Sequence, residues 1–139
     1  MLKKLIRNEK GLTLIELLAV IVILGIIAAI AIPSIGGLIE NSRKDAHIAN
    51  AHQMVNAARL AYTADSTKTE YNLKYLEDEK YLEPVEKPGG GDYDKEASKV
   101  VLNIVENKNV WKVTLVSEDG TIHIDNQDPG EVKRDDVEL

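Results

Sequence analysis

The sequence predicts an α+β chain: one long amino-terminal helix laid on a small antiparallel sheet of about three strands. Three observations predict it. An uncharged aliphatic run occupies Leu12 to Ile39, broken only by Glu16. An apolar stripe at helical spacing follows it, and the last third alternates β-branched and polar residues around short turn sequences. A sheet placed on the amphipathic half of the helix would bury both apolar faces.

The run from Leu12 to Ile39 is rich in Leu, Ile, Val and Ala. As a helix it would be about 42 Å long at roughly 1.5 Å per residue. That spans a hydrocarbon core of about 30 Å with length to spare. Before it stand Lys3, Lys4, Arg7 and Lys10 against Glu9, a formal charge of +3. Basic residues ahead of an apolar span hold that end in the cytoplasm and send the rest outward. A secretory signal peptide would have a shorter apolar core and a small-residue cleavage site after it. Here the run continues directly into a helical pattern instead. Glu16 is the anomaly, because an ionised carboxylate in a membrane helix costs on the order of 3 kcal/mol. Either it lies at the membrane boundary, or a positive charge from another subunit or a new amino terminus meets it.

The segment Lys10-Gly11-Leu12-Thr13-Leu14-Ile15-Glu16-Leu17-Leu18, with the aliphatic helix behind it, resembles the class III signal of the type IV pilin-like family. That family includes type IV pilins, type II secretion pseudopilins and competence pseudopilins. The resemblance implies cleavage by a membrane aspartyl prepilin peptidase between Gly11 and Leu12, and N-methylation of Leu12. It gives Glu16, fifth in the mature chain, the assembly role, and places Pro33 where members commonly have a helix-kinking proline. The usual residue after the cut is Phe, and here it is Leu. The implied partners are further copies of the chain in a helical filament, the prepilin peptidase, an assembly platform and its ATPase, and the membrane. The implied location is a single-pass plasma-membrane precursor and then a cell-surface filament. No cofactor and no enzymatic activity are expected.

The expected organisation is a cleaved leader 1–11, a transmembrane or filament-core helix 12–39, an amphipathic helix 40–65 and a globular head 66–139. Ile48, Ala51, Val55, Ala58 and Tyr62 step by three or four, and Lys44, His52 and Arg59 mark the other face. No Pro or Gly interrupts Leu38 to Ala64, so one helix of roughly 80 Å is expected from Leu12. Its weak points are Gly25, Pro33, Gly36 and Gly37. Stretching or melting between Ala29 and Gly37 on assembly is an expectation.

Ser66 to Pro88 reads as a connection with a short helix or turn near Asn72–Leu76, packed through Leu73, Leu76, Tyr81 and Leu82. Pro84, Pro88 and Gly89–Gly91 end it. The triple glycine is no phosphate loop, since no Gly-Lys-Ser/Thr follows and Asp92 and Asp94 would repel a phosphate. Strands are expected at Lys99–Val105, Val110–Ser117 and Thr121–Ile124, joined by turns at Glu106–Asn109 and Glu118–Gly120. The tail from Asp125 is polar and is expected to fray or form an irregular loop.

The 139 residues fit one domain plus an anchor. With no Cys there is no disulfide or thiolate chemistry, and with no Phe the core falls to aliphatics, Trp111 and five Tyr. His47 and His52 are five apart, on different helix faces, so they do not form a zinc helix. His47, His52 and His123 read as surface or packing residues. Asp125, Asn126, Gln127, Asp128, Glu131, Asp135 and Asp136 offer oxygens but lack EF-hand spacing, and no metal site is expected. Beyond the leader the formal charge is −9, which cannot neutralise nucleic-acid phosphates. DNA would be met only indirectly, in a competence role, through other subunits or patches such as Lys44, Arg59, Lys133 and Arg134. A secretion pseudopilin is the alternative within the family, and a monotopic membrane-anchored binding module the alternative outside it.

Overall fold

The computed structural model describes residues 2–139, with side chains from residue 13 onward. Helix α1 runs Leu2–Ala64, strand β1 Glu70–Asn72, helix α2 Leu73–Asp78, β2 Lys99–Val105, β3 Lys108–Val116 and β4 Ile122–Gln127, before a 3₁₀ turn at Arg134–Asp136. The chain falls into two compact units, the first ending at Ile39 and the second spanning Glu40–Leu139.

The first unit is helix alone. Sixteen large aliphatic side chains from Leu14 to Ile39 are exposed on it. By length and composition this is a helix able to cross a membrane. Pro33 lies inside α1, and the backbone is helical on both sides of it.

The second unit holds the core. Residues 40–64 of α1 bury His47, Ala51, Met54, Val55, Ala57, Ala58 and Ala61. The buried stripe is therefore wider than the sequence spacing indicates, and it starts one residue earlier, at His47. Against it lie Tyr71, Leu73, Leu76, Val100, Leu102, Trp111, Val113, Leu115 and Ile124. Trp111 packs edge-on to Tyr62, with ring centroids 5.8 Å apart. Aromatic rings of Tyr and Trp supply the bulk that Phe would give elsewhere.

The sheet has four strands in the order β1-β2-β3-β4, all antiparallel. The sequence led to about three, because β1 is a three-residue strand inside what reads as a connection. It forms by pairing Tyr71 with Val100 and Asn72 with Lys99 at the edge of β2. Asn72 then caps α2, its side chain accepting from the Tyr75 backbone N–H at 2.8 Å. β2 and β3 pair from Lys99↔Thr114 to Val105↔Lys108, leaving Glu106 and Asn107 as a two-residue turn, both with positive φ. Between β3 and β4, the Asp119 carboxylate accepts from Ser117 Oγ and from the Thr121 backbone N–H. Those donors hold its pKa down to about 2.

The tail does not fray. β4 continues to Gln127, Pro129 and Val137 are buried, and Glu138 is bonded to His123 through its backbone N–H and carbonyl. Arg134 adds a two-pronged bond to Asp45 on α1, at 2.7 Å for each contact. A polar composition concealed one buried Val and a set of specific backbone contacts.

Candidate functional site: the amino-terminal segment

α1 positions each residue that the sequence singled out. Gly11 and Leu12 are helical in backbone, and their side chains lie outside those described. Glu16 is exposed on α1, flanked by Ile15 and Leu17, which are also exposed. From Thr13 to Ile39 it is the one ionisable side chain. A carboxylate thus sits on a surface otherwise built of aliphatic groups, about one helical turn from the Gly11–Leu12 bond. Gly25, Gly36 and Gly37 have open space where a side chain would project, so nothing among the described residues requires them to be glycine.

The head contributes other polar groups. Glu77, nearly buried, accepts from Lys95 Nζ at 2.5 Å and from the Val85 backbone N–H at 3.4 Å. Donating that hydrogen bond to Glu77, with the carboxylate's charge beside it, raises the Lys95 pKa. Of the four cations considered for nucleic-acid contact, two are engaged by carboxylates within the head. Arg134 is tied to Asp45, and Lys44 Nζ is 3.6 Å from Glu40 on the same helix face.

The structure also brings together a group that the sequence leaves apart. His47 of α1 and His123 of β4 stack inside the head, with ring centroids 4.1 Å apart and planes 20° from parallel. His52 is exposed. A signal was present, since His47-Ala51-Met54-Ala58-Ala61 is also a three–four stripe, starting one residue ahead of Ile48. Nothing local ties position 47 to position 123. Among the described residues, no group of three or more His, Cys, Asp or Glu is placed to hold a metal ion.

With this geometry in place, comparison with known proteins gives one match. Residues 6–32 fit the family model of the prokaryotic N-terminal methylation motif. This is the class III signal of type IV pilins, and it is consistent with the type IV pilin-like family. The match covers the amino-terminal segment and leaves the head outside it. A long helix with an apolar stretch on a four-stranded antiparallel sheet matches the pilin fold. The motif is one that marks pilin-like and pseudopilin precursors, which prepilin peptidase processes and which are structural in general. Neither curated proteins nor solved structures gave a match.

Proposed function

We propose that this chain is a structural subunit of a type IV pilus-like filament. In this reading the leader 1–11 is removed by prepilin peptidase between Gly11 and Leu12, and Leu12 is N-methylated. The precursor waits as a single-pass membrane protein with its head outside. An assembly platform and ATPase then add it to the filament.

One observation carries the reading: a methylation motif coincides with a single carboxylate on an uncovered aliphatic helix. Left in water, sixteen exposed Leu, Ile and Val side chains would each forfeit about 1.5 kcal/mol or more. The segment therefore belongs in lipid or among its own copies. Moving it from lipid to a filament gains little hydrophobic free energy, because both surroundings are apolar. Polar pairing must then set the register, and Glu16 is the group available for it. Cleavage would create an amine one helical turn away, and the amine of an axially shifted neighbour could pair with Glu16.

The test is Glu16→Ala in cells, with sheared filaments and membrane-inserted protein measured separately. Loss of filaments with normal insertion is expected. Filaments at the wild-type level would remove the assembly role and favour a membrane-anchored module that never polymerises.

A further inference from the structure

The buried histidine pair takes no part in the assembly step, and its surroundings are unusual. His47 is 0% exposed and His123 3% exposed. His47 Nδ1 lies 2.7 Å from Tyr93 Oη, which also receives Asn50 Nδ2 at 3.1 Å. His123 Nδ1 lies 2.6 Å from the Glu138 carbonyl oxygen. A carbonyl only accepts, so His123 carries its proton on Nδ1 and leaves Nε2 as a bare lone pair. The Nε2 atoms of both rings are buried without a hydrogen-bond partner.

A metal does not account for these two nitrogens. Imidazole lone pairs lie in the ring plane, and two planes only 20° from parallel do not converge on a point about 2.0–2.1 Å from both. A proton is the ligand that the arrangement would respond to. Adding one creates a charged N–H with no acceptor, inside a stack whose other member repels it.

We propose that His47 and His123 form a proton-operated clasp between α1 and the end of the chain, residues 137–139. With the His47 ring neutral the clasp is closed, and protonation of that ring releases the chain end. What it holds is specific: Glu138 donates its backbone N–H to the His123 carbonyl at 3.1 Å, and Val137 is buried beside it. The charged groups around the pair are Lys87, which acts on His47, and Asp125, Asp136 and Glu138, which line the surface hollow next to His123. A second tie, Asp45 to Arg134, outlasts the first, because the guanidinium holds the Asp45 carboxyl below its usual range.

Burial first, then His123 and Lys87, push His47 from 6.5 down to about 4. The released state takes up its proton near 6.5 and the closed state near 4, so opening consumes a proton between those values and acid favours it. The stabilisation is present above pH 6.5 and is lost as pH falls towards 4. From pH 8 to pH 5 the opening equilibrium should rise about 30-fold.

The experiment is hydrogen exchange on the full chain in detergent, corrected for the intrinsic pH dependence of exchange. Amides of residues 137 and 138 should lose protection by that factor between pH 8 and 5, while strands β2 and β3 keep theirs. His47→Phe retains a stacking ring without the proton site and should flatten the response. Titration of the His47 ring protons by NMR reads the wild type directly should that variant not fold. The proposal is supported if His47 titrates well below 6.5. It is overturned if His47 titrates near 6.5, if the tail's protection does not change, if the core strands lose protection in step with the tail, or if His47→Phe leaves the response intact.

Discussion

Leu115→Ala tests how the head is held together. Leu115 is fully buried in β3, paired with Ile124 of β4 and within the cluster that includes Met54 and Val113. Truncating a buried Leu costs about 2–5 kcal/mol, the transfer free energy of the lost atoms plus the cavity they leave. A domain of this size is stable by about 5–15 kcal/mol in total. A loss of about 3 kcal/mol would lower Tm by about 12–24 °C at 4–8 °C per kcal/mol. Ile104 is the control: it lies in phase with buried Leu102 on β2, yet is 65% exposed near the hairpin tip. Ile104→Ala should cost within about 0.5 kcal/mol. Trp111 is the sole tryptophan, buried against Tyr62, so its fluorescence reports unfolding of the full chain in detergent. Equal losses from the two truncations would refute this packing.

Two further outcomes follow from particular contacts. Arg134→Ala removes a bidentate pair with Asp45 whose partners are both about half exposed, so the loss in a urea titration should be far smaller than that of Leu115→Ala. Pro33→Ala restores a helical N–H, and a proline in a helix interior costs about 3 kcal/mol. Amide exchange between residues 29 and 37 in assembled filaments should then slow, and an unchanged rate would exclude local melting there.

Much of the fold was legible because its signals are local. The aliphatic run is visible without any partner, and the β-branched run Lys99–Val105 has the same bounds as β2. What escaped depends on pairing across the chain. β1 is too short to show a period and exists because β2 offers an edge. The docking of the tail rests on Val137, Arg134 and the backbone of Glu138, scattered through a polar stretch. The His47–His123 stack joins α1 to β4, and a sequence spacing cannot show it. For the amino-terminal segment the balance is reversed. The motif is read from the order of Gly11, Leu12 and Glu16, and the pairing it implies involves a second copy of the chain.

The mass of the mature amino terminus in sheared surface filaments tests the central claim most directly. The account predicts a chain beginning at Leu12 with one added methyl group, and uncut precursor held in the membrane when Gly11 is replaced by a bulky residue. Surface material that still begins at Met1, or filaments built from an uncut Gly11 variant, would contradict it.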